Sequence, residues 1–223
     1  MARTKDPHAA TVKAWETRGR ARPGGGSGAT QRRDDWKKKV TSADVAADGT
    51  EFPETKDYAR FREEIARHPL SQFTTPLTEE ELSKRRVFLS EDGKTGYTLT
   101  DDDDLGNVFN MPGEERRGRG SRAVIEAVAR GAKTLDCYDD VLPDYYQRHG
   151  FVPVARVKWD DKYAPPNWDY ARFGRPDVVF MRYEGGDRRT LRERVGTFSM
   201  KEVKSVPRVD SYEAGQAAAR REA

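Results

Sequence analysis

The chain has 223 residues, of which 35% are hydrophobic and 35% charged, with a formal net charge of +3. That length holds one ordinary domain and not two, and so small an apolar share beside so much charge suits a modest core carrying solvated extensions. One cysteine, Cys137, excludes an intrachain disulfide, the scattered His8, His68 and His149 offer no metal-ligand spacing, and no stretch has the length and apolarity of a membrane helix or signal peptide, which predicts a soluble, cytoplasmic protein.

Charge is unevenly spread: residues 1–40 hold eleven Lys or Arg against four acids, whereas 41–60 hold five acids against two bases. Residues 1–50 read as a basic, Gly-rich, disordered arm: a short helical pattern from Ala9 to Arg20 precedes the linker Pro23-Gly24-Gly25-Gly26-Ser27-Gly28. Trp15 and Trp36 sit among positive charges, as in a nucleic-acid-binding arm, so any polyanion contact falls on residues 1–40.

From Asp57 the pattern becomes that of a folded unit. Tyr58, Phe61 and Ile65 recur at helical spacing until Pro69, and Thr78-Glu79-Glu80-Glu81 reads as a capping box opening a short helix to about Arg85. Val87–Leu89 and Gly96–Thr100 flank an Asp-Gly hairpin signal, and a third strand, Leu105–Asn110, follows the turn Asp101–Asp104. Those four carboxylates lack the alternating spacing of a calcium loop and read as a solvated turn. A helix from Ser121 to about Arg130, a strand Thr134–Tyr138, a helix from about Pro143 to Arg148 and strands Phe151–Trp159 and Val178–Tyr183 complete an α+β order. Residues 187–223 read as a charged C-terminal extension with a terminal helix over Tyr212–Glu222.

The chemistry-bearing stretch is Pro112-Gly113-Glu114-Glu115-Arg116-Arg117-Gly118-Arg119-Gly120-Ser121-Arg122. A strand that runs through a glycine-rich turn into a helix presents unpaired amides to an anion, and glycines let the backbone approach it. The amides from Arg117 to Ser121, with the positive charge of Arg116, Arg117, Arg119 and Arg122, form the candidate phosphate cradle.

Together with Tyr146-Gln147-Arg148-His149-Gly150-Phe151, this stretch resembles the paired signatures of the GNAT superfamily of N-acetyltransferases, at the family's separation. The likeness extends from Gly131–Asp136 to Asp177–Met181, where it is nearest to GNAT-like domains of bacteriophage proteins. Glu115 departs from the pattern, standing where the family carries Arg or Gln, as do Asp139 and Leu142 in place of asparagine and alanine.

The resemblance implies a GNAT-like fold over 57–185, with a central mixed, mostly antiparallel sheet flanked by helices, and transfer of acetyl from acetyl-CoA to an amine acceptor. It implies that Phe109 and Asn110 on the splayed third strand hold the thioester, that Gly118, Gly120 and Ser121 with Arg116, Arg117, Arg119 and Arg122 hold the pyrophosphate, and that Tyr146 protonates the thiolate. Tyr146 also fits a core tyrosine, with Tyr145 as the phenol in the site. Asp139 or Asp140 is the candidate base, with helix capping as the alternative reading. Cys137 reads as a small buried hydrophobe rather than a nucleophile. The insert from Asp160 to Pro176 reads either as the wall of the acceptor site, its acids favouring a cationic amine, or as a packed loop. A second functional reading is a noncatalytic phage structural or host-interaction protein, in the virion or host cytoplasm, whose basic tails hold nucleic acid or a virion protein.

Overall fold

The structure, a computed structural model, describes residues 49–185 and 203–221. The arm's proposed helix, its glycine linker, Trp15 and Trp36 lie outside the described residues. In chain order the elements are α1 (Tyr58–Arg67), α2 (Glu79–Ser83), β1 (Arg86–Leu89), β2 (Thr95–Leu99), β3 (Asp104–Asn110), α3 (Arg119–Ala129), β4 (Thr134–Tyr138), α4 (Leu142–Gln147), β5 (Phe151–Val157), α5 (Tyr170–Phe173), β6 (Val178–Tyr183), β7 (Arg208–Val209) and α6 (Tyr212–Arg220).

Local chemistry explains the boundaries. Asp57 caps α1 by accepting from the Arg60 amide at 3.0 Å, and the Thr78–Glu81 capping box forms in both directions, at 3.2 and 2.7 Å. In the β1–β2 hairpin, Asp92 Oδ1 accepts from Ser90 Oγ and the Lys94 amide while Gly93 takes φ 73°. The acidic turn before β3 distributes its charges: Asp102 pairs with Arg220, Asp103 with Lys133, and Asp104 accepts from Thr134.

The seven strands form one sheet in the order β1-β2-β3-β4-β6-β5-β7. It is a mixed sheet, with β3–β4 and β5–β7 parallel and the other neighbours antiparallel. Alternation along the strands sends Phe88, Tyr97, Leu99, Leu135, Cys137, Val179 and Met181 to one face, where Ala123, Val124 and Ala127 of α3 and Tyr146 of α4 meet them. Val87, Leu89 and Phe109 point the other way, against Phe61 and Ile65 of α1 and Leu82 of α2. Farther along that second face, Phe180 and Ala155 are covered by Ala219 and Tyr212 of α6. Each fully buried Phe or Leu contributes about 1.5–3 kcal/mol relative to exposure, so both layers are needed.

The folded unit is longer at both ends than the pattern from 57 to 185 implies. Phe52 lies edge-on to Tyr97 at 5.9 Å, and Glu54 bridges to Phe88 along the free side of β1. At the other end, β7 pairs with Arg156 and Val157 of β5, and α6 crosses β4, β5 and β6. The charge of the C-terminal segment conceals this, because α6 docks through the small residues Gly215 and Ala219 and one tyrosine. No helix among the described residues is long and apolar enough to cross a membrane.

Candidate functional site

The centre of the sheet is open. β3 and β4 pair only at Asp104↔Thr134 and Leu105↔Leu135, although β3 continues to Asn110 and β4 to Tyr138. Past Leu105 the two strands part, helped by a bulge in which Asn107, at φ 50°, and Val108 together oppose Tyr97. Gly106, Asn107, Val108, Asp136 and Tyr138 are accordingly half-buried, although they lie on the middle strands of a seven-stranded sheet. Met111 donates its amide to Lys94 O at 2.7 Å, on the β2 side. By alternation the backbone groups of Phe109 face β2, while the amides of Val108 and Asn110 face the gap.

At the far end of β3 the chain turns into α3 through Gly118, which holds a left-handed φ of 91°. The first helical bond is that of the Arg122 amide to Gly118 O, so the amides of Gly120 and Ser121 have no acceptor within the helix. Gly120 lies in a tight place: a Cβ there would stand 3.2 Å from the Tyr145 hydroxyl and 3.6 Å from Asn110.

Of the four predicted arginines, two hold the turn itself. Arg116 donates through Nε to Met111 O at 3.0 Å and through Nη2 to Pro112 O at 2.7 Å, and it also pairs with Glu115 at 2.5 Å. That pair neutralises the exposed Glu115 carboxylate, the acid that stands beside the candidate anion site. Arg119 pairs with Asp92 of the β1–β2 turn at 2.6 Å. Burial opposes ionisation of Asp92, but hydrogen bonds from Ser90, the Lys94 amide and Arg119 hold its carboxyl down at about 2. Arg122 lies 4.0 Å from Glu126, and Arg117 is exposed at the mouth of the turn.

Asn110 is a brace: its side chain accepts from Thr95 Oγ1 at 2.7 Å and donates to Arg116 O at 3.0 Å, tying the turn to β2. The Phe109 ring is buried against Phe61 at 5.6 Å, away from the α3 face.

The two phenols of α4 divide as their adjacency requires. Tyr145 reaches the first turn of α3, beside Gly120 and the Ser121 hydroxyl, and burial pushes its phenol up to about 12. Tyr146 lies deeper, against Phe151 and near Cys137, and burial raises its phenol well above the ordinary range. Both stay protonated at neutral pH and can donate. Cys137 is buried, its thiol is raised by burial, and it donates to Met181 Sδ at 3.8 Å, which leaves no thiolate for nucleophilic chemistry.

Asp139 sits among charges beyond the end of β4, its carboxyl raised by burial and by Asp177 against the pull of Arg156 and Lys204. The same network fastens the C-terminal segment, with Asp177 binding Arg156 and Arg208. Neither Asp139 nor the exposed Asp140 caps α4, whose N-terminus has no side-chain cap.

On the face opposite α3 an aromatic wall stands beside the gap. Phe73, from the α1–α2 connection, meets Tyr138 of β4 at 5.7 Å, Trp168 at 5.2 Å and Phe173 at 4.8 Å, and Trp159 stacks in behind at 4.8 Å from Trp168. The insert's acids are used internally: Asp160 and Asp169 cap short helical turns, and Asp161 binds Arg175 and the Trp159 indole. Sequence reasoning missed Phe73 and the half-buried carboxylates Asp104 and Asp136, for no spacing links them before the strands are paired.

No known family matches the sequence, and no curated protein does. Among solved structures, an N-acetyltransferase from Staphylococcus aureus Mu50 is similar at 14% identity and a TM-score of 0.35, covering 60% of this chain and 97% of that one. At that score the likeness decides nothing, and the site's own geometry has to.

Proposed function

We propose that the chain is an acyltransferase of GNAT-like architecture that moves the acetyl group of acetyl-CoA to an amine. The observation that carries this reading is the parting of parallel β3 and β4 in mid-sheet, with a phosphate-type helix start at one end of the gap and a buried phenol beside it. The fit to the cofactor rests on the positive φ of Gly118, the acceptor-free amides of Gly120 and Ser121, and the little room that a Cβ on Gly120 would have. Acetyl-CoA supplies an activated acyl carbon on a good leaving group.

The protein supplies position and protons. Gly120 and Ser121 amides, with Arg117 and Arg122 nearby, hold the pyrophosphate; the gap-facing amides of Val108 and Asn110 orient the thioester carbonyl as an oxyanion hole would. Tyr146 keeps its proton in the buried pocket and delivers it to the departing sulfur. Tyr145 closes the side of the turn next to Gly120.

Hydrogen exchange of the full chain tests this directly. With acetyl-CoA, peptides covering 106–110 and 118–122 are expected to exchange more slowly, while α6 is unchanged. Protection confined to other segments, or none, would contradict it.

A further inference from the structure

Two carboxylates share the sheet face opposite the α3 turn, where β3 and β4 begin to part. Asp104 belongs to the first paired rung, and Asp136 is the first β4 residue beyond the last. Thr134 and Asp136, two apart on one strand, point to the same face: Thr134 Oγ1 donates to Asp104 at 2.6 Å, and Tyr212 of α6 donates its phenol to Asp136 at 2.7 Å. Both residues are half-buried, with α6 on one side and Tyr138 of the aromatic wall two positions along β4.

The charged and titratable groups around them are few. Arg85, following α2, reaches to the edge of Gly106 and pulls on both. Arg220 of α6 acts on Asp104 while it binds Asp102, and Cys137 and Tyr138 of β4 and Tyr146 of α4 feel the charge of Asp136. Burial and the mutual repulsion of the two acids push Asp104 up to about 6, and burial raises Asp136, against the Tyr212 hydrogen bond and Arg85. A carboxylate whose charged form is disfavoured by burial is a stronger base than an ordinary one.

We propose that Asp136, positioned by Tyr212 and paired with Asp104, takes the proton from an incoming ammonium, so that the acceptor is a cationic amine entering on the α6 face of the gap. This deepens the acyltransferase reading and rests on it. One proton leaves the ammonium for the Asp136 carboxylate and passes to water. The freed nitrogen pair forms the C–N bond as the C–S bond breaks. The second nitrogen proton, lost to solvent, replaces the one Tyr146 gives to the thiolate, so the products are an amide, a thiol and one proton. The C-terminal helix is then part of the active centre, and Tyr212 is its positioning residue.

Two readouts on the full chain test this. The first is carboxyl carbon NMR of Asp104 and Asp136 from about pH 4 to 9, without cofactor. The pair is expected to titrate above the ordinary carboxylate range, and Tyr212→Phe, which removes a donor from the charged form, to move Asp136 higher still. Titration at the usual aspartate pH, or indifference to Tyr212→Phe, would overturn the proposal. The second is thiol release from acetyl-CoA with spermidine as the amine probe, alongside acetyl-CoA binding and thermal unfolding. Asp136→Asn is expected to bind acetyl-CoA as wild type does and to turn over about 100-fold or more slower. Tyr212→Phe is expected to shift the acid limb of kcat/KM to higher pH. A folded Asp136→Asn that turns over within about twofold of wild type overturns the proposal, as does a wild type that binds acetyl-CoA but leaves it intact with spermidine. Failure of wild type to bind acetyl-CoA at all instead sinks the acyltransferase reading, and the proposal with it.

Discussion

Gly118 is held at φ 91° where the chain enters α3, a conformation that costs an L-residue roughly 1–2 kcal/mol. Gly118→Ala is therefore expected to lower stability by about 1 kcal/mol, read from denaturant unfolding, and to weaken acetyl-CoA binding by more than that loss explains. Two of the acids with shifted carboxyls, Asp92 and Asp104, move stability in opposite directions with pH. Asp92 is depressed to about 2, so its contribution is complete above the unfolded value near 4 and disappears as pH falls toward 2; the stability gap between wild type and Asp92→Asn should close over that window. Asp104 is raised to about 6, so the native state binds the extra proton and stability falls as pH rises from about 4 to 6. Asp104→Asn should be the more stable protein above pH 6 and lose that advantage below 4, as thermal unfolding across that range would show. A side chain's type and spacing reveal little of this. Arg116 is visible in the sequence as a cation beside a glycine turn, yet its guanidinium is turned back onto Met111 and Pro112.

Among the elements, α6 shows most clearly how docking depends on small residues. A Cβ on Gly215 would come within 2.1 Å of the Phe180 ring, so Gly215→Ala is expected to cost about 1–3 kcal/mol despite its better helix propensity. An unchanged or raised midpoint in denaturant would mean that α6 does not pack as described. Elements with strong local signals were legible in the sequence. β4 and β6 occupy Thr134–Tyr138 and Val178–Tyr183, the bounds their apolar pattern predicts, and the Thr78 capping box forms as its spacing requires. The glycine turn before α3 was legible for the same reason: strand, glycines and helix are consecutive. β7 was not, because two residues paired across about fifty positions of chain carry no periodicity. Asp104, Asp136 and Tyr212 meet only through the β3–β4 rung and the return of α6, so no window along the sequence contains them together.

At the scale of the whole molecule, the gap in the sheet joins two faces with different chemistry. The α3–α4 face offers amides, arginines and buried phenols suited to an anionic thioester; the opposite face offers carboxylates and rings suited to a cation. The C-terminal segment completes the second face by covering Phe180 and Ala155 and by bonding Asp136. A chain ending at residue 202 is thus expected to unfold with a smaller denaturant slope and a lower midpoint than the full chain. The central claim is that the α3 turn holds the pyrophosphate of acetyl-CoA with the thioester lying in the gap. Calorimetric titration of the full chain with acetyl-CoA, beside a Gly120→Trp variant shown to be folded, tests it most directly. Saturable binding by wild type that the variant loses is the predicted result; binding that Gly120→Trp leaves untouched, or no binding by wild type, would contradict it.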